Sequence, residues 1–180
     1  MLRRKPPGAL LASAHAVDRE FAVISALHAQ GFPVARPYAL CTDDGVIGSI
    51  FYVMAKVEGR IFWDLKLPGL TPPERRAIYD AQVDTLAALH RLEPEAVGLA
   101  DYGRAGNYFA RQVGRWTKQY RASEIEPIAA MDRLIGFLPD SLPPEGPTRI
   151  VHGDFRLDNL ILDPAEAKVR AVLDLSLIHI

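Results

Sequence analysis

Residues 150 to 163 read Ile-Val-His-Gly-Asp-Phe-Arg-Leu-Asp-Asn-Leu-Ile-Leu-Asp, and this stretch constrains the chain more than any other. The apolar runs Arg149-Ile150-Val151 and Leu160-Ile161-Leu162 flank a loop containing His152, Gly153, Asp154 and Asn159. Short apolar runs bounded by turn residues read as buried strands, which places a carboxylate and a carboxamide in one connection between two strands. Further on, the β-branched run Val169 to Leu173 ends in another carboxylate, Asp174. Taken singly, Asp154 and Asp158 read as turn formers and Asn159 as a cap. Taken together, in this strand context, Asp154, Asn159 and Asp174 are expected to converge on one site.

The spacing His152-x-Asp154-x-x-x-x-Asn159 is that of a loop used for phosphoryl transfer. That chemistry needs a carboxylate to orient the attacking hydroxyl and accept its proton, and oxygen ligands for the magnesium that bridges the phosphates. Asp154 fits the first task, and Asn159 with Asp174 fits the second. His152 is expected to support the loop by packing and hydrogen bonding, with no proton transfer of its own.

With Gly at position 153, the loop resembles that of the aminoglycoside phosphotransferase and choline kinase-like family. Phe51-Tyr-Val-Met-Ala-Lys-Val-Glu-Gly-Arg60 is similar to that family's hinge strand. Gly106 to Tyr120 and Leu2-Arg-Arg-Lys-Pro-Pro-Gly8 resemble one branch, the phosphotransferase-like domains fused to or encoded beside acyl-CoA dehydrogenases. The resemblance implies an α+β, protein-kinase-like two-lobe fold, with ATP and Mg²⁺ as cofactors and a small-molecule hydroxyl as acceptor. It also implies a hinge near Met54 to Val57, where the adenine meets backbone, and a functional association with an acyl-CoA dehydrogenase. A kinase-like first lobe further needs a cation on the phosphates, held by a carboxylate of the neighbouring helix. Glu20 is the candidate carboxylate. Arg3 and Lys5 share one strand face and both remain candidates for the cation, Arg3 being favoured by alignment.

Composition agrees with a globular enzyme. At 49% apolar residues and a formal net charge of −1, the chain can bury a core and gives no electrostatic case for nucleic acid. The single cysteine, Cys41, cannot form an internal disulfide and is expected to be a small buried hydrophobe in a reducing cytoplasm. No apolar stretch is long enough to span a membrane.

Helical spacing of Val17, Phe21, Ile24 and Leu27 predicts a helix from an N-cap at Ser13 to Gly31. Pro33 to Cys41 and Ile50 to Val57 read as a hairpin around Thr42-Asp-Asp-Gly45. Thr71-Pro-Pro-Glu74 is a capping box opening a long helix to about Arg91, with Tyr79, Val83, Leu86 and Leu89 on its buried face. Tyr108, Phe109, Val113, Trp116 and Tyr120 line one face of a further helix and are expected in the core. Ser123-Glu-Ile-Glu126 is expected to cap another, carrying Ile128, Ile135 and Leu138.

The organisation expected from this pattern is a partial first lobe over 1–58 and a partial second lobe over 59–174 with the catalytic loop at 150–163. The resemblance implies that the first strands of one lobe and the last helices of the other lie outside this sequence. Residues 175–180 depart from the family at every position and are expected to be a non-native tail. The expected function is an ATP- and Mg-dependent phosphotransferase acting on a hydroxyacyl thioester or an aminoglycoside-like acceptor, inactive in this length. The alternatives are a non-catalytic nucleotide-binding or scaffold domain and an inactive fragment.

Overall fold

The computed structural model describes residues 1–5, 17–103 and 106–175. The expected cap at Ser13 and most of the expected tail, 176–180, lie outside the described residues. The architecture is α+β, as expected. By contact the chain divides into Met1–Gly103 with Arg149–Ile180, and Arg104–Thr148.

The first unit begins with strand β1 (Leu2–Arg4), helix α1 (Val17–Ala29) and strands β2 (Pro37–Cys41) and β3 (Phe51–Met54). The three strands form an antiparallel sheet of order β1-β3-β2, with Arg3 opposite Tyr52. Cys41, at the end of β2, is only half-buried. Helix α1 buries Val17, Glu20, Val23, Ile24 and Leu27, so a carboxylate lies on its apolar stripe. The helix ends at Ala29, and Gly31 just beyond it has a φ of +72°, which suits glycine. Phe32 N–H donates to Leu27 O and Gly31 N–H to His28 O, satisfying carbonyls the helix end would otherwise orphan.

Helix α2 (Pro72–Arg91) starts at the predicted capping box. The Glu74 carboxylate accepts from the Thr71 backbone N–H at 2.7 Å and from its hydroxyl at 2.6 Å. These bonds hold the Glu74 carboxyl below the usual carboxylate range. The buried face differs from the expectation: Tyr79 is 40% and Val83 63% exposed, while Ile78 and Leu89 are buried. The inward line is Ile78, Gln82, Thr85 and Leu89. Its two polar members bond carbonyl oxygens, Gln82 that of Phe155 and Thr85 that of Ala81, which lets them occupy the buried side.

The first unit closes with the short hairpin of β4 (Leu160–Leu162) and β5 (Val169–Val172), antiparallel. Its Leu160, Leu162 and Val172 join Leu27, Tyr52 and Leu89 in the core. Full burial of each such side chain stabilises by about 1.5–3 kcal/mol. Leu175, assigned to the tail by the sequence, is 1% exposed and belongs to this core.

The second unit contains helices α3 (Tyr108–Ser123) and α4 (Ala129–Phe137). Its aromatic stripe corrects the sequence expectation of a core: α3 buries no residue, and Tyr108 and Trp116 are 42% and 57% exposed. Ser123 is likewise no cap for the following helix. It is the last residue of α3, and its hydroxyl bonds back to the carbonyls of Gln119 and Tyr120. The N-cap of α4 is Ile128, and Ile125 is fully exposed.

Candidate active site

The loop before β4 is a closed hydrogen-bonded circuit. Gly153 has a φ of +86°, which lets the chain turn back so that Asp154 N–H donates to His152 Nδ1 at 3.2 Å. With Nδ1 accepting, Nε2 carries the proton and donates to Leu173 O at 2.8 Å. The His152 ring is fully buried and meets Phe155 edge-on with centroids 5.4 Å apart. From the other side of the loop, Asn159 O accepts the Leu173 N–H at 2.8 Å. The residue preceding Asp174 is thus held at both its backbone groups by the loop that carries Asp154. The His152 ring is thus bonded both within its own loop and to the residue before Asp174.

Asn159 turns its amide nitrogen to Asp154, bonding the backbone oxygen at 2.9 Å and Oδ2 at 3.3 Å. That orientation fixes which end of the carboxamide faces away from Asp154, namely Oδ1. Asp174 stands at a φ of +54°, a left-handed conformation that Asp tolerates better than most side chains. The strand turns there, directly after the clamped Leu173.

Arg3 joins Asp174 to α1. Its Nε lies 2.7 Å from Glu20 Oε2 and its Nη2 3.7 Å from Asp174 Oδ1. Glu20 is 3% exposed, and burial pushes its carboxyl above the ordinary range, opposed by the charge and hydrogen bond of Arg3 and by Tyr52. Tyr52 is fully buried, and burial followed by the Glu20 charge raises its phenol. Of the two cation candidates, Arg3 is the one brought to Glu20. Lys5 is exposed, and its backbone is occupied with Ile50 and Ser49.

At the hinge, both backbone groups of Met54 are bonded to Met1, its N–H at 2.9 Å and its carbonyl at 2.7 Å. The next N–H, of Ala55, is also occupied, donating to Arg36 O at 2.8 Å, and the half-buried Val57 lies beyond it. Just beyond, Arg60 N–H and C=O pair with Leu162 at 2.8 and 2.9 Å. Gly59 permits this approach, since a Cβ there would stand 2.2 Å from Leu162 O.

Arg156 was not singled out by the sequence reading. Its Nε lies 3.2 Å from Asp154 Oδ1 and its Nη2 3.0 Å from Asp158 Oδ2. A cation two positions from a carboxylate in a loop is the only signal the sequence offers for it.

The donor set suits a small hard cation held partly by a ligand. Asn159 and Asp174 supply oxygen atoms, and among the described residues no group of three or more His, Cys, Asp or Glu is arranged to hold a metal unaided. Mg²⁺ is commonly bound in this way, through one or two protein oxygens completed by phosphates.

The whole chain, residues 1–180, matches the model of the phosphotransferase enzyme family. Human acyl-CoA dehydrogenase family member 11 is 51% identical over 175 residues, covering 97% of this chain and 22% of that protein. Mouse acyl-CoA dehydrogenase family member 10 is 50% identical over 174 residues, covering 97% of this chain and 16% of that protein. The chain thus spans about a fifth or less of these relatives. A crystal structure from Ralstonia eutropha, described as an aminoglycoside phosphotransferase, is similar with a TM-score of 0.88 and 50% identity, over 99% of this chain and 52% of that one. An aminoglycoside-3'-phosphotransferase of type VIII shares the fold, with a TM-score of 0.64 at 21% identity, over 99% of this chain and 63% of that one.

Proposed function

Because the chain belongs to the phosphotransferase enzyme family, we propose that this site uses ATP and Mg²⁺ to phosphorylate a small-molecule hydroxyl. The observation that carries the reading is the joining of Asp154, Asn159 and Asp174 through His152, Leu173 and Arg3, which supports reading them as a base, two metal ligands and a phosphate cation. Asp154 orients the acceptor hydroxyl and receives its proton. The acceptor oxygen then bonds the γ-phosphorus as the bond from that phosphorus to the bridging oxygen breaks, and ADP departs with the electron pair. Arg3, steadied by Glu20, holds the phosphates, and the backbone past Met54 toward Val57 receives the adenine edge.

Asn159 and Asp174 would hold Mg²⁺, which when bound neutralises charge on the phosphates. The acceptor class we favour is a hydroxyacyl thioester, because two relatives similar over nearly the whole chain are named acyl-CoA dehydrogenase family members. On the same ground we propose that the protein works beside an acyl-CoA dehydrogenase, and, from its single cysteine, that it does so in the reducing cytoplasm. Among the described residues no helix is long and apolar enough to cross a membrane.

The test is calorimetric titration of the chain with ATP in the presence and absence of Mg²⁺. Binding that strengthens with Mg²⁺ and weakens in Asp174→Ala is expected. Binding indifferent to both the metal and that substitution would remove the reading.

A further inference from the structure

We propose that Arg60 is a positioning residue for the reaction: its guanidinium pins the register of the β4–β5 hairpin, and with it the spacing of Asn159 and Asp174. The proposal rests on the phosphotransferase reading, which makes those two residues the metal ligands.

The hairpin is poorly equipped to set its own register. β4 has three residues and β5 four, and a lone pair of strands that short is marginal by itself. Register is normally fixed by a buried apolar face alternating with an exposed polar one, but all three residues of β4 are buried. The pairing is already irregular between Ile161 and Leu162. Yet Asn159 stands directly before β4, and Asp174 follows closely on the end of β5 at Val172. A slip of one residue would shift one against the other by about 3.3 Å. Mg²⁺ holds its oxygens at about 2.0–2.1 Å in near-octahedral order, so such a slip would take one ligand out of reach.

Arg60 supplies what the strands lack. Its N–H donates to Leu162 O at 2.8 Å and its carbonyl accepts from Leu162 N–H at 2.9 Å, which fixes the last residue of β4. Its side chain continues to the turn between the strands, Nε donating to Asp163 O at 2.8 Å and Nη2 to Glu166 O at 2.9 Å. That turn is itself closed: Asp163 Oδ1 accepts from the N–H groups of Ala165 and Glu166 at 2.9 and 3.2 Å. Asp163 N–H donates to the carbonyl of Lys168, the residue before β5, at 2.8 Å. Arg60 therefore grips both the end of β4 and the turn that measures out the chain to β5. A planar fork matches two carbonyls in fixed directions, which a single ammonium does not. The guanidinium also lies over the Phe62 ring, 5.4 Å from its centroid. At the open end of the hairpin, Leu173 N–H donates to Asn159 O at 2.8 Å, a bond that reports the register beside both ligands.

Two measurements on the chain test the role. Backbone amide exchange follows Leu173, and ATP is titrated with and without Mg²⁺. In Arg60→Ala, exchange at Leu173 is expected to quicken about tenfold or more, while Val23 and Leu27 in α1 keep their protection. The gain in ATP affinity brought by Mg²⁺ is expected to shrink about tenfold, with metal-free affinity within about twofold of the starting chain. Arg60→Lys keeps the charge without the fork and should lose most of the Mg²⁺ gain as well. It decides the matter should the alanine variant fail to fold. Equal quickening at Leu173 and in α1, or an Mg²⁺ gain left intact, marks a general structural residue and overturns the proposal. Full recovery by lysine would assign the effect to charge and overturn it too. If the unaltered chain binds ATP neither with nor without Mg²⁺, the phosphotransferase reading has failed and the positioning role falls with it, whatever Leu173 shows.

Discussion

The imidazole of His152 donates to the carbonyl oxygen of Leu173 at 2.8 Å, fastening the loop that carries Asp154 to the residue directly before Asp174. Asp154, the proposed base, precedes β4 and Asp174, a proposed metal ligand, follows β5, so this bond ties together two separate loops. His152→Ala removes it, leaves the partly buried Leu173 carbonyl short of its donor and opens a cavity. A loss of about 3 kcal/mol in unfolding free energy is expected by urea titration. A variant as stable as the starting chain would remove His152 from its supporting role.

Asp154→Asn keeps the hydrogen-bonded shape of the loop and removes the proton acceptor. In a form competent for turnover, kcat is expected to fall by about 10²- to 10⁴-fold with nucleotide affinity retained. Undiminished turnover would show that the base is another group.

Asn159→Ala and Asp174→Ala each delete an oxygen proposed to meet Mg²⁺. Both should weaken nucleotide binding more with Mg²⁺ than without it. The Asn159 variant should also lower kcat, because the same amide holds Asp154 Oδ2 at 3.3 Å. Equal losses with and without Mg²⁺ would count against the ligand assignment.

Glu20 gives a pH signature. Burial raises its carboxyl above the ordinary value of 4.5, so the folded chain binds this proton more tightly than the unfolded chain does. Its contribution is therefore most favourable below 4.5 and is lost as pH rises through the raised value. Glu20→Gln should flatten that fall and leave the urea midpoint at neutral pH undiminished, while the loss of the Arg3 partner weakens Mg-nucleotide binding about 10-fold or more. A clear drop in the neutral midpoint would mean that pairing with Arg3 outweighs burial.

The loop that joins His152, Asp154 and Asn159 was legible in the sequence as a unit because these residues lie at fixed local spacing, and they bond one another in the structure. Helix α1 was legible because Gly31 and the apolar stripe mark its end and its face. The face of α2 was not, since Gln82 and Thr85 are inward-lying polar residues whose backbone partners no periodicity shows. The aromatics of α3 were placed in a core because apolar spacing cannot tell a covered face from an exposed one. The choice between Arg3 and Lys5 stayed open because strand alternation puts both on one face, and only the position of Glu20 separates them. Arg156 escaped because its meaning lies in two contacts rather than in a pattern.

Gly59 lies where the chain beyond β3 passes over β4, with no room for a methyl group beside Leu162 O. In the proposed nucleotide site this one piece of main chain would serve as a ruler: the adenine would be gauged from the backbone before Gly59, and the phosphates from the hairpin it rests on. Lengthening or bulking this strap would misalign the two ends together. Natural variation in acceptor choice is thus expected to accumulate elsewhere in the fold, leaving this gauge untouched.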